Sequence, residues 1–271
     1  MTDLPDHAPS CEKCANRDGV GFTVPFAMAF QPIFDIHTAS VFAYEALVRP
    51  IGGGSAWDVL SRVDKNNRYS FDQKCRKKAI SLAAKLGMKS RLSINFMPNA
   101  VYDPEHCIRA TLWAAKTYDF PIENIIFEFI ETEEIHDNTH LQNIVGSYKR
   151  MGFRTAIDDF GAGYAGLSGF CDLATDFIKI DMALLRNIDT DPRRQSVVKA
   201  ILNMTAEMGV LCILEGVETA AEFATLRALG GRYFQGYLLG RPTVEKLEDD
   251  ATILARLRGA DWQTESIFKS A

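Results

Sequence analysis

Residues Phe177–Gly216, "FIKIDMALLRNIDTDPRRQSVVKAILNMTAEMGVLCILEG", hold one complete unit of the pattern that decides the fold. The apolar run Phe177–Asp181 is short enough for a buried strand and ends in an acid. Asp191 then places a capping acid before Pro192, the signature of a helix start. A second apolar run, Val210–Glu215, again ends in an acid. Strand, helix and strand over such a length imply parallel strands joined by a right-handed crossover.

The same unit recurs on both sides. Apolar runs at Phe42–Leu47, Leu92–Phe96, Ile125–Phe129, Thr155–Asp159 and Tyr233–Gly236 read as further strands, with an opening run at Ala27–Asp35. Helix starts are marked by Asp103-Pro104, by Thr219 with Glu222, and by Ser70 with Gln73, the last two as capping boxes. From Ser70 onward Phe71, Cys75, Ala79, Leu82 and Leu86 share one helical face before Gly87 ends the element. About eight strands alternating with helices over some 245 residues fit an α/β fold of the TIM type, a (β/α)8 barrel, better than an open sheet. The turn His37–Ser40 is too short for a helical crossover, so the first two strands are expected to pair antiparallel, a modified barrel start.

Composition narrows the function. The 271 residues are 47% hydrophobic and 24% charged, ordinary for a soluble globular chain. A net charge of −5 gives no general attraction for a nucleic-acid polymer, so a phosphorylated ligand would need positive charge supplied locally. No window approaches the roughly 18 apolar residues of a membrane span, and the start "MTDLPDHAPS" lacks a signal-peptide core; a cytoplasmic protein without membrane insertion is expected.

In the barrel reading, catalytic groups sit at the C-terminal ends of strands. Asn95, Glu128, Asp158, Asp159, Lys179, Glu215 and Gln235 fall at or near such ends, and Glu45 joins them from the second strand. In "IDDFGAG", Ile157–Gly163, two adjacent acids would point to opposite faces of a strand, where an unpaired buried charge costs several kcal/mol. Either the strand has ended or a cation is bound. Converging carboxylates repel unless cations lie among them, and oxygen donors without His or Cys suit Mg²⁺ or Mn²⁺ rather than structural zinc. The acids exceed the needs of one ion. A cation pair about 3.5 to 4 Å apart activates water and clamps phosphoryl oxygens, which makes phosphoester hydrolysis a candidate reaction.

"YEALVR", Tyr44–Arg49, resembles the signature of the EAL family of cyclic-di-GMP phosphodiesterases, and "LSINF", "FEFIETE", "IDDFGAGYAGL", "FIKID", "EGVET" and "FQGYLLGRP" resemble its remaining motifs in order, from about Phe26 to Pro242. The resemblance implies hydrolysis of cyclic-di-GMP to linear 5′-pGpG. Residue by residue, it implies that Glu45, Asn95, Glu128 and Asp158 hold one Mg²⁺ or Mn²⁺ while Asp158 and Asp159 hold a second. Lys179 would orient the nucleophilic water and Glu215 position or deprotonate it, so that Glu45, Lys179 and Glu215 form the catalytic set. Gln31, Leu47, Arg49 and Gln235 would serve substrate binding, with the Arg49 fork on a phosphate, and Glu131 would brace the loop after "DDFG". Ca²⁺ is expected to inhibit. A catalytically silent cyclic-di-GMP receptor is the alternative; it predicts erosion at these positions, and each carries the expected residue. Departures are peripheral: Leu214 before "EGVE", and Ala162, Ala165 and Gly166 in the glycine loop.

Residues 1–24 read as a polar leader and 25–271 as the barrel domain. The leader carries "CEKC", Cys11–Cys14, which admits an incidental pair, half of a shared zinc site, or a redox pair. The remaining cysteines of the six are scattered and read as small hydrophobes. With so short a leader, regulation is expected to come from that leader, from a homodimer, or from a sensor or diguanylate cyclase partner.

Overall fold

The computed structural model describes residues 21–130, 138–162 and 167–259. Strands β1 (Phe26–Asp35) and β2 (Ser40–Pro50) form the expected antiparallel hairpin. From β2 the sheet continues in parallel through β3 (Arg91–Asn95), β4 (Ile125–Ile130), β5 (Arg154–Phe160), β6 (Phe177–Ile180), β7 (Leu211–Leu214) and β8 (Tyr233–Gln235). The end of β1 pairs antiparallel with β8, which closes an eight-stranded α/β barrel. A short strand unread in the sequence, β9 (Thr243–Val244), pairs with Ala29 and Phe30 and covers the part of β1 that β8 does not reach.

Strand alternation sorts the barrel interior into layers. Ile33, Ala43, Ile126, Ala156, Phe177, Ile213 and Tyr233 form a closed apolar cluster inside the ring. Two residues further along β2 and β4 to β8 stand Glu45, Glu128, Asp158, Lys179, Glu215 and Gln235; on the antiparallel β1, Gln31 stands two residues before Ile33. A period of two therefore stacks a polar layer directly on an apolar floor. The opposite faces of the strands join the larger cluster beneath the helices, where Phe127, Phe129, Ile178 and Leu214 are buried.

The helix starts at Asp103, Asp191 and Thr219 form as read: Asp103 accepts from the amides of Glu105 and His106, Asp191 from those of Arg193 and Arg194, and Thr219 with Glu222 completes a capping box. The Ser70–Gln73 box does not form. The helix there begins upstream, Arg68–Lys85, which places Ser70 inside its first turn, and Ser70 Oγ accepts from the amide of Phe22 at 3.1 Å. Gly87, at φ +70°, ends that helix as expected, with the amides of Gly87 and Met88 returning to the carbonyls of Ala84 and Ala83.

Candidate active site

Lys179 is the hub of the polar layer. Its Nζ, almost fully buried, lies 2.6 Å from Glu215 Oε1, 2.8 Å from Glu128 Oε2, 3.1 Å from Asp158 Oδ1 and 3.3 Å from Glu45 Oε2. The amides complete the ring: Asn95 Nδ2 donates to Glu45 Oε1 at 2.7 Å, and Gln235 Nε2 donates to Glu45 Oε2 at 2.7 Å and to Gln31 Oε1 at 3.3 Å. Register sets the inward residues of neighbouring strands at one level, with Gln31 opposite Glu45 and Asn95 opposite Glu128. Ser93, missed in the sequence, donates its hydroxyl to Glu128 Oε1; its signal was its place two residues before Asn95 on the inward face.

Of the two alternatives for the adjacent acids of "IDDFGAG", a strand that ends before the pair is not the one found. The strand has not ended at Asp159, since β5 runs on to Phe160. Instead the β5–β6 register breaks between Ile157 and Phe160, and Asp159 adopts a left-handed backbone at φ +55°. This irregularity cancels the alternation, so Asp158 and Asp159 line the same cavity, with the Asp159 amide on Asp158 Oδ1 at 3.0 Å. Gly161, at φ +94°, continues the turn in a conformation that suits glycine. Gly163, Ala165, Gly166, Glu131, Cys11 and Cys14 lie outside the described residues.

Gly236, at φ +152°, brings the end of β8 against Val217 so closely that a Cβ would stand 2.1 Å from the Val217 carbonyl oxygen. The Val217 amide thereby reaches Gln235 O at 3.1 Å, which fixes the turn after Glu215 to the end of β8. Leu214 faces the helix side and fills space left by Gly231, where a Cβ would meet Leu214 Cδ1 at 2.4 Å.

The electrostatics record a crowded anionic centre. Burial, with repulsion from Glu45 and Asp158, pushes the Glu128 carboxyl up to about 8 against the pull of Lys179. Glu215 is raised well above the carboxylate range by burial first and then by Asp158, Glu45 and Glu128. Burial together with Asp158 and Asp181 lifts Asp159 to about 6. For Lys179 burial acts downward, yet the surrounding carboxylates outweigh it and hold the ammonium well above its ordinary range. One ammonium is too little positive charge for this many acids.

The donor set fits divalent cations. Carboxylate oxygens of Glu45, Glu128 and Asp158 come within 4.8 Å of one another, as do those of Asp158, Asp159 and Glu215. Both groups are oxygen-only and share Asp158. Two cavities flank them. One of about 320 Å³ is lined by Gln31, Asp159, Lys179, Glu215, Gln235 and Tyr237 among others. The other, about 510 Å³, has apolar walls that include Met28, Leu60, Ile94, Phe96 and Met97. Glu45, Leu47 and Asp158 border both. Arg49 borders only the second, and its Nη1 donates to Val48 O at 2.7 Å, apart from the acids.

The EAL domain family model matches residues 24–242. The chain belongs to the EAL domain family. A cyclic di-GMP phosphodiesterase of Pseudomonas aeruginosa, PA2567, is 29% identical over 85% of this chain and 40% of its own length. The blue light- and temperature-regulated antirepressor BluF of Escherichia coli is 29% identical over 81% of this chain and 55% of its own length. The chain thus spans about half the length of these curated EAL relatives. Among solved structures, a standalone EAL protein from Vibrio cholerae O395 in its c-di-GMP bound form is 52% identical, with a TM-score of 0.82 over 85% of this chain and 98% of that one. Klebsiella pneumoniae BlrP1 in a manganese and cyclic-diGMP complex is 30% identical, with a TM-score of 0.78 over 83% of this chain and 57% of that one. Among the described residues no helix of this EAL chain is long and apolar enough to cross a membrane.

Proposed function

We propose that this EAL chain hydrolyses cyclic-di-GMP to linear 5′-pGpG with two bound Mg²⁺ or Mn²⁺ ions. The observation that carries the reading is the pair of carboxylate groups sharing Asp158 at the C-terminal mouth of the barrel. Relatives named as cyclic di-GMP phosphodiesterases support it, as does a similar structure holding manganese with the dinucleotide. Glu45, Asn95, Glu128 and Asp158 would hold one ion, and Asp158 with Asp159 the other, with Glu215 in reach of the second. When bound, such ions supply the positive charge that lets an acidic mouth accept a phosphodiester and that activates water for in-line attack.

The chain's own groups do the rest. Lys179 holds its ammonium where it orients the attacking water, and Glu215 accepts a hydrogen bond from that water and steers its proton. Glu45 is kept in place by two amides, Asn95 and Gln235. Two cavities meeting at the acids suit a ligand with phosphodiesters at its middle and bases at its ends, with Gln31, Leu47 and Gln235 along the way and Arg49 on a phosphate. Glu131 would brace the loop after "DDFG". A homodimer, a sensor or diguanylate cyclase partner, a cytoplasmic location, and the division into leader 1–24 and domain 25–271 belong to the same reading.

Incubation with cyclic-di-GMP and Mg²⁺ or Mn²⁺, followed by chromatography of the linear product, tests it. Ca²⁺ in their place should permit binding with little turnover. A relative named as an antirepressor keeps a receptor role as the second reading. Tight binding with no product in Mg²⁺ or Mn²⁺ would establish that role instead.

A further inference from the structure

Beside the second cavity, which Asp72 borders, lies a buried ion pair that the proposed chemistry does not use. Asp72 and Arg76, one turn apart on the helix Arg68–Lys85, are 2% and 0% exposed, with Arg76 Nη2 at 2.8 Å from Asp72 Oδ2. Arg76 Nη1 donates to Tyr148 OH at 3.1 Å, and the guanidinium lies 4.9 Å from the Phe127 ring centre and 5.4 Å from that of Phe96. A buried pair of this kind is seldom a net source of stability, because desolvation offsets most of the attraction and apolar residues of similar volume serve as well or better.

What the pair supplies is an aimed acceptor. Asp72 Oδ1, on the side away from Arg76, accepts the Met97 amide at 3.1 Å. Met97 is two residues past Asn95, where the chain leaves β3 and turns into the short helix Pro98–Ala100. The intervening Phe96 amide donates to Glu128 O at 2.9 Å. The backbone just beyond Asn95 is thus pinned on one side by β4 and on the other by Asp72. Asn95 in turn directs its amide onto Glu45 Oε1 at 2.7 Å. An apolar residue at position 72 would fill the same space but leave the Met97 amide without this acceptor.

We propose that Asp72 is a positioning residue for the divalent-cation site, holding the turn after β3 so that Asn95 and Glu45 keep their ligand geometry, with Arg76 fixing the orientation of the Asp72 carboxylate. The proposal rests on the two-cation reading above. Outer partners that orient metal ligands typically change metal affinity by about 10–100-fold when removed.

The test is calorimetric titration of Mn²⁺ into substrate-free protein, which needs no turnover. Asp72→Leu/Arg76→Met, which removes the acceptor together with both charges, should weaken Mn²⁺ binding about tenfold. Asp72→Asn/Arg76→Met keeps one acceptor oxygen for Met97 and should return affinity to within about twofold of the parent. Met97→Pro removes the donor, leaves the ion pair whole, and should weaken binding as the Leu/Met double variant does, which keeps the question open to measurement if that variant fails to fold. Tyr148→Phe should lower the melting temperature with Mn²⁺ affinity unchanged. Parent affinity in both Asp72→Leu/Arg76→Met and Met97→Pro would overturn the positioning role while leaving the two-cation reading intact. A parent protein that binds no Mn²⁺ would overturn both.

Discussion

Replacing Lys179 with Met should make the stability of the protein depend on divalent cations. The substitution keeps much of the side-chain length but removes the ammonium that stands 2.6–3.3 Å from Glu215, Glu128, Asp158 and Glu45. Carboxylate oxygens within 4.8 Å of one another are then left facing without a counter-charge. At that separation and an effective dielectric constant of about 20, each ionised pair repels by roughly 3.5 kcal/mol. Proton uptake by Glu128 and Glu215, whose pKa values are already raised, absorbs part of this. The remainder should be about 3 kcal/mol, near the low end for removing one partner from a buried ion pair. For a chain of this length that corresponds to a fall in Tm of about 6–12 °C. Thermal melts in EDTA near neutral pH would show the loss, and excess Mn²⁺ should recover most of it while turnover stays abolished. A Lys179→Met protein melting within about 2 °C of the parent in EDTA would refute the reasoning, because the carboxylates would then not depend on the ammonium.

Further predictions follow from the same geometry. Asp159 and Glu128 have folded-state pKa values of about 6 and about 8, above their ordinary values, so the stability they lend is present at low pH and lost as pH rises through those values. In EDTA, Tm should therefore decline between about pH 5 and pH 8.5 and flatten when Mn²⁺ is added; a profile without slope in EDTA would contradict it. Arg49→Ala should raise KM for cyclic-di-GMP by about 10–100-fold with kcat changed little, since Arg49 borders the second cavity and stands apart from the acids. Gly236→Ala should destabilise by about 2–4 kcal/mol in chemical denaturation, since its Cβ would run into Val217 backbone atoms and the backbone there is left-handed. Asp159→Asn should lose most turnover yet still bind the dinucleotide, measured by product chromatography and equilibrium binding; full activity would remove Asp159 from the site.

Much of this was legible because barrel strands are short and buried. Apolar runs bounded by Asp-Pro and Thr-x-x-Glu starts located the eight barrel strands to within a few residues, and the tight turn at His37–Ser40 foretold the antiparallel opening. Two readings failed where a helix began upstream of a local signal or a strand was very small. Ser70 carries a sound local capping pattern, but it lies inside the first turn and its hydroxyl accepts from Phe22, forty-eight positions away. Strand β9 is two residues long, too short for any periodicity to register.

The sequence by itself determined which residues stand at strand ends and that they are chiefly oxygen donors, because strand length and side-chain chemistry are local properties. Tertiary structure alone decided that Lys179 is the common neighbour of four carboxylates, since that requires strands from across the ring to close around it. It also decided how Asp158 and Asp159 share one cavity. Alternation assigns adjacent residues to opposite faces, and only the broken register against β6 with the left-handed backbone at Asp159 turns both toward the barrel mouth.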